Sequence, residues 1–211
     1  FICGEYVCHG VPDSRQWVVT MAQKLQGLIL VLEHRYYGQS MPFGNDSLNL
    51  DKMAYLNSEQ ALSDLAYFIQ QMRDTHSHKI TDKTPFITIG GSYPGALAAW
   101  FRYKYPHLTI GSIASSAVVL AIEDYKNFDE QMYLSSVLSG DFCVQAINAS
   151  NTKVEQILKS SDRDTFKAQF KGADKLTDEE FLFYWIDSIV GQIQYGQRTT
   201  LCNNLKNKTS D

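Results

Sequence analysis

Short apolar runs separated by helical periodicity mark the first half of the chain. Gly27-Leu28-Ile29-Leu30-Val31-Leu32-Glu33 is apolar without alternation, which predicts a strand buried on both faces. Pro85-Phe86-Ile87-Thr88-Ile89-Gly90 and Leu108-Thr109-Ile110-Gly111-Ser112-Ile113-Ala114-Ser115 read the same way, and Phe1-Ile2-Cys3 reads as the tail of a further strand. Between them the apolar period becomes helical. Asp13 or Ser14 is placed to cap a helix through Gln16 to Leu25. Asn57 and Gln60 resemble a capping box ahead of Ala61, Leu62, Leu65, Phe68, Ile69 and Met72, which share one face. Tyr93 to Tyr105 forms the next helix, which Pro106 ends. Strand and helix in alternation predict an α/β fold with a mostly parallel sheet.

The rhythm changes after Ala121. From Asn127 to Gln194 apolar residues recur at three and four, and no strand pattern is evident. Thr177-Asp178-Glu179-Glu180 is a capping box, with Leu176 and Phe181 spaced for a hydrophobic staple. Phe181, Trp185, Ile189 and Ile193 then hold one helical face. The expected organisation is residues 1–121 as the N-terminal part of an α/β core and residues 122–211 as a helical cap inserted after a sheet strand.

Composition narrows the class. In 211 residues, 44% hydrophobic and 20% charged, a packed core is expected and disorder is not. The net charge of -4, without any Lys/Arg run, gives no footprint for nucleic acid. The longest apolar stretch, Gly27 to Leu32, is too short to span a bilayer. The chain opens on an apolar run with no Met or leader pattern and closes on a polar tail, Asn203 to Asp211, so it reads as a piece incomplete at both ends. Cys3, Cys8, Cys143 and Cys202 permit disulfides, and sequons stand at Asn45, Asn148 and Asn207. Together these favour a lysosomal or secreted compartment over a cytosolic one with free thiols.

The chemistry centres on Gly90-Gly91-Ser92-Tyr93-Pro94-Gly95. A serine flanked by glycines between a strand and a helix is the setting of an α/β-hydrolase nucleophile elbow. Gly90 and Gly91 supply small neighbours for a tight turn. Ser92 would be the nucleophile, and the Tyr93 backbone N–H, at a helix start, could donate to a developing oxyanion. Pro94 departs from the simple G-x-S-x-G pattern, although a first helical turn tolerates proline. The alternative is a glycine-rich turn carrying an inert serine. Of His9, His34, His76, His78 and His107, only His107 follows Ser92, and at about 1.5 Å per residue it stands roughly 20 Å along the helix. His34 follows a strand end but precedes the nucleophile, contrary to the order nucleophile, acid, histidine. The triad acid and base are therefore expected outside this chain, and the isolated chain is expected to be inactive.

Several segments together resemble the S28 serine peptidases: Glu33-His34-Arg35-Tyr36-Tyr37-Gly38-Gln39-Ser40-Met41-Pro42-Phe43, Ser58-Glu59-Gln60-Ala61-Leu62-Ser63-Asp64, Gly90 to Arg102, Lys104-Tyr105-Pro106-His107 and Ala114-Ser115-Ser116-Ala117. Gln194-Tyr195-Gly196 and Leu201-Cys202 are similar to segments of the family's thymus-specific branch. The resemblance implies an α/β-hydrolase core with a helical insertion. It also implies a peptide substrate cut near a chain end, often beside proline, through an acyl-enzyme on Ser92. The second oxyanion donor would come from Cys3-Gly4-Glu5, around Gly4, although Cys3 and Tyr6 stand where the family usually has glycines. Glu5 would either pair with a substrate amino terminus or hold its own loop. The Glu33 to Tyr37 run is expected to be structural, its charged residues pairing with each other or with backbone where the strand leaves the sheet, with lining the pocket as the alternative.

Tyr184, Trp185 and Tyr195 are candidates to shape a proline pocket, with Trp185 on the apolar helical face of a core residue. Cys143 with Cys202, and Cys3 with Cys8, are candidate disulfides. Serine acyl transfer calls for no metal or cofactor, and a homodimer stays open. An esterase or lipase on the same fold, and a non-catalytic peptide-binding homologue, are the competing functions, because fold alone does not choose between them.

Overall fold

The computed structural model describes residues 1–14 and 16–208, so Thr209 of the Asn207 sequon and the end of the polar tail lie outside the described residues. The chain divides into two compact units, one from Phe1 to Ala121 and one beginning at Ile122.

In the first unit, α1 (Trp17–Lys24) and α2 (Ser58–Asp74) precede a β-α-β element: β1 (Ile87–Gly91), α3 (Tyr93–Lys104) and β2 (Gly111–Ser115). β1 and β2 pair in parallel, from Ile87 opposite Gly111 to Gly91 opposite Ser115. The arrangement is a mixed α/β one. The Ile2 N–H donates to the Ile89 carbonyl at 2.9 Å, and Ile2 bridges Leu32 in parallel on its other side. The hydrogen-bonded order across the unit is therefore residues 30–32, residues 1–3, β1, β2.

The 27–33 run differs from its expected form. It is no regular strand, and Leu28 is 58% exposed. Pairing with residues 1–3 is confined to Leu30–Leu32, and Leu28 lines an apolar groove with Met21 and Phe86. Helix α1 also starts differently. Its N-cap is Gln16, whose N–H donates to the Asp13 carbonyl, so a turn precedes the helix and neither Asp13 nor Ser14 occupies the cap. At α2 the Asn57 side chain accepts from the Gln60 N–H at 2.8 Å, but the Gln60 side chain is taken by Arg35, which leaves the capping box half made.

The core of this unit forms where Leu62, Leu65 and Ile69 of α2 meet Leu97, Ala98 and Phe101 of α3, with Ile2 and Leu108. Phe101 is fully buried. Ala96 and Ala98 are fully buried as well, and such small side chains let α3 lie close to the strands. The second unit holds only helices among its described regular elements: α4 (Lys126–Val137), α5 (Asp141–Leu158), α6 (Arg163–Lys167), α7 (Asp178–Gln194) and α8 (Arg198–Lys208), with one short 3-10 turn. Phe181 sits in its core with Val154, Leu158 and Ala173, and meets the rings of Phe166 and Phe170 edge-on at 5.7 and 5.4 Å. Leu176 packs against the same cluster. Thr177 and Glu180 complete the capping box of α7 in both directions. The Cys143–Cys202 disulfide ties α5 to α8. No helix among the described residues is long and apolar enough to cross a membrane.

The segment after Leu32 is held by its charges. Glu33 accepts from the Cys8 N–H at 3.0 Å through one oxygen. Its other oxygen accepts from the Gln39 and Ser40 N–H groups and the Ser40 hydroxyl at 2.9–3.0 Å. Gly38, at φ +57°, fits beneath it, and a Cβ there would lie 1.9 Å from the carboxylate. Arg35 grips Asp64 of α2 through two bonds of 2.6 Å and also reaches the Tyr55 carbonyl. Of the expected partners the charges take loop backbone, and Arg35 adds Asp64 of α2; among the described residues they do not pair with one another.

Two outcomes follow for stability. Phe101→Ala should cost about 3–5 kcal/mol in urea unfolding, and a loss below about 1 kcal/mol would contradict its place at the centre of the core. The hydrogen bonds to Glu33, that from Cys8 first, hold its carboxyl below the usual range. A folded pKa below the unfolded one adds stability above the unfolded value of about 4.3, and that stability is lost as pH falls through the folded value. The gap in unfolding free energy between the wild type and Glu33→Gln should therefore be widest near neutral pH and narrow under acid. A pH-independent gap in denaturant titrations would contradict this.

Candidate active site

β1 ends at Gly91 and α3 begins at Tyr93, so Ser92 alone makes the turn. It does so at φ 60° and ψ -128°, a conformation that side-chain-bearing residues seldom adopt. Such strain costs about 1–3 kcal/mol and persists only where surrounding contacts over-determine it. Two contacts do so here. The Ser92 N–H donates to the Ser115 carbonyl at the end of β2 at 2.9 Å, and the Ser92 carbonyl accepts from Ala96 at 3.0 Å. The serine is exposed at the strand end.

The turn is shaped by close approach of backbone to backbone. A Cβ on Gly90 would stand 2.1 Å from the Pro94 carbonyl oxygen. One on Gly95 would stand 2.9 Å from the Ser115 oxygen and 3.1 Å from the Gly90 oxygen. One on Gly91 would meet only the Ser115 oxygen, at an ordinary 3.9 Å, and Gly91 has no left-handed φ. The positions that must be small are thus two before and three after the serine; Gly91 is not one of them, contrary to the sequence expectation. This removes the irregularity of Pro94. Its place needs no glycine, and it fills the first turn of α3, where a missing N–H leaves no acceptor unpaired.

Pro94 also draws a second loop to the elbow. A Cβ on Gly4 would stand 2.6 Å from the Pro94 ring, so Gly4 packs its bare backbone there. The Cys3–Cys8 disulfide closes this loop and Glu33 fastens it at Cys8. Glu5 is exposed, and its charge bears on the Tyr93 hydroxyl. Ser92, Tyr93, Gly4 and Glu5 are therefore neighbours around one turn. Tyr184, Trp185 and Tyr195 belong to the second unit. There the Trp185 indole donates to Asn151 at 3.0 Å beside the aromatic core, Tyr184 lies edge-on to Phe170, and Tyr195 is exposed.

His34 is buried at 5% exposure. Its Nδ1 lies 2.7 Å from the Arg35 carbonyl, which only accepts, so Nδ1 carries the proton. Nε2 then accepts from the Tyr93 hydroxyl at 2.9 Å. With both nitrogens engaged away from Ser92, His34 is not its base. Burial first, then the Tyr37 and Glu5 charges, pushes the Tyr93 hydroxyl up to about 12, so it keeps its proton to donate. Among the described residues no side chain hydrogen-bonds to the Ser92 hydroxyl, and no group of three His, Cys, Asp or Glu is placed to hold a metal. The His34–Tyr93 contact spans 59 residues and is invisible to periodicity; only the density of polar and aromatic groups at Glu33 to Tyr37 hinted at it.

The glycine geometry makes a sharp contrast. Gly91→Ala should leave the urea midpoint almost unchanged, whereas Gly90→Ala should lose about 3 kcal/mol or abolish folding, as overpacking against rigid backbone does. Equal losses at the two positions would contradict the assignment of the close approach to Gly90.

Residues 2–209 match the family described as Serine carboxypeptidase S28. A probable serine protease of Arabidopsis thaliana is 40% identical over 206 residues, which cover 95% of this chain and 40% of that protein. Human lysosomal Pro-X carboxypeptidase is 40% identical over 134 residues, covering 62% of this chain and 27% of that protein. Mouse thymus-specific serine protease is 37% identical over 137 residues, covering 63% and 26%. The chain thus spans 40% of the plant relative's length and about a quarter of the two mammalian ones. On the family match over nearly its whole length, with the strained serine turn between β1 and α3, the chain belongs to the S28 serine carboxypeptidase family.

Proposed function

We propose that this chain carries the nucleophile and part of the oxyanion hole of a serine-type exopeptidase that cuts peptides near a chain end, beside proline. The observation that carries the reading is the exposed Ser92 at φ 60°, directly before a helix-opening N–H, in an S28 family chain. The Ser92 Oγ attacks the scissile carbonyl carbon and passes its proton to a general base. The tetrahedral oxyanion takes hydrogen bonds from the Tyr93 N–H and from backbone at Gly4, which packs beside the same turn. Collapse releases the amine with the transferred proton and leaves an acyl ester on Ser92, which water then hydrolyses. Glu5, exposed at the edge of the turn, is available either to pair with a substrate's charged amino terminus or to hold its own loop.

The general base and its acid come from sequence outside these 211 residues, since His34 is committed elsewhere and His107 lies beyond the far end of α3. The two disulfides and the Pro-X carboxypeptidase relatives, described as lysosomal, support a lysosomal or secreted location.

The test uses the full-length protein with proline-containing dipeptide amides and peptides, beside short acyl esters. Proline-adjacent hydrolysis near a chain end is expected, falling more than about 10³-fold in Ser92→Ala, while the isolated 211-residue chain stays inactive. Cleavage of esters alone would make it an esterase. Peptide binding without turnover would make it a non-catalytic homologue. Turnover by the isolated chain would contradict the missing base.

A further inference from the structure

We propose that His34 is a positioning residue for the oxyanion hole, acting through the Tyr93 side chain on the Tyr93 backbone N–H. The role rests on the reading of Ser92 as nucleophile.

Tyr93 is the first residue of α3, so its N–H has no acceptor within the helix, and helix ends fray when nothing holds them. An oxyanion donor must nevertheless keep its direction, because misplacement by about 1 Å is costly in rate. The backbone contacts to Ser115 and Ala96 fix the serine itself. The side-chain hydrogen bond of Tyr93 fixes the next residue. Its hydroxyl donates to His34 Nε2 at 2.9 Å, and the two rings lie 5.5 Å apart.

The tether is stiff because its far end is stiff. His34 is buried and its Nδ1–H is spent on the Arg35 carbonyl at 2.7 Å. Arg35 is in turn locked on Asp64 of α2 by two 2.6 Å bonds. Hydrogen bonds joined through the Arg35 main chain therefore run from α2 to the hydroxyl of Tyr93, the residue that opens α3. Packing alone does not call for them. An apolar pair of similar volume would fill this space without desolvating an imidazole and a phenol. The Tyr93 hydroxyl, pushed up to about 12, stays protonated and donates wherever His34 Nε2 is an unprotonated acceptor.

The test measures kcat, KM and thermal midpoint in the full-length protein for Tyr93→Phe, His34→Leu and the double variant, beside Ser92→Ala. Tyr93→Phe keeps the ring and deletes only the hydrogen bond. It should lower kcat about tenfold, leave KM within about twofold and barely move the midpoint. His34→Leu should lower kcat to a similar degree, and the double variant no further, since both changes break one link. Should His34→Leu fail to fold, Tyr93→Phe decides alone. A kcat within about twofold of wild type in Tyr93→Phe, with turnover still abolished by Ser92→Ala, would overturn the positioning role and leave the nucleophile standing. A loss seen only in KM, or additive losses in the double variant, would overturn it too. Turnover that survives Ser92→Ala would remove both.

Discussion

The structure of the first unit depends on one approach of backbone to backbone: the end of β1 lies against the first turn of α3 with no space for a methyl group on Gly90. That contact forces the chain to reverse within one residue. Ser92 takes a positive φ because it alone joins the strand to the helix, and its cost is borne by the parallel register of β1 and β2, which brings the Ser115 carbonyl to the Ser92 N–H. Gly95 answers to the same constraint from the helix side. The exposed hydroxyl and the helix-opening N–H beside it are consequences of this packing.

A sharp turn alone does not make a site, and the surrounding polar contacts explain what keeps its neighbours in place. Glu33 gathers the Cys8 and Ser40 backbones, so the disulfide loop holding Gly4 and Glu5 is fixed from outside. Arg35 fixes the same segment to α2. His34, between them, faces inward to Tyr93. Three consecutive charged or polar residues thus serve three directions: the loop, the tyrosine at the elbow and the neighbouring helix. In the second unit, order comes instead from an aromatic cluster around Phe181 and one long-range disulfide. Under the chain-entropy account, closing a loop of 59 residues contributes about 4 kcal/mol.

Local signals were legible in the sequence to the extent that they act locally. The Thr177 capping box, the face of α2 and the strand-turn-helix around Ser92 each depend on residues within a few positions of one another. The 27–33 run is apolar enough for a strand, but an apolar stretch does not say which partners it pairs with. The glycine rule was half right for a similar reason: whether residue 91 or residue 95 must be small is decided by Ser115, twenty or more positions away. Arg35 with Asp64 and His34 with Tyr93 are pairings across 29 and 59 residues, which no periodicity encodes. Family resemblance marked the Glu33 to Phe43 segment as distinctive, yet it did not say what each side chain holds.

Ser92 is proposed as a nucleophile delivered by this turn. The most direct measurement is covalent: treat the folded full-length protein with a fluorophosphonate, digest it and locate the adduct by mass spectrometry. Stoichiometric phosphonylation on the peptide containing Ser92, absent after denaturation, is the predicted result. An adduct on a different serine, with Ser92 unmodified, would contradict it.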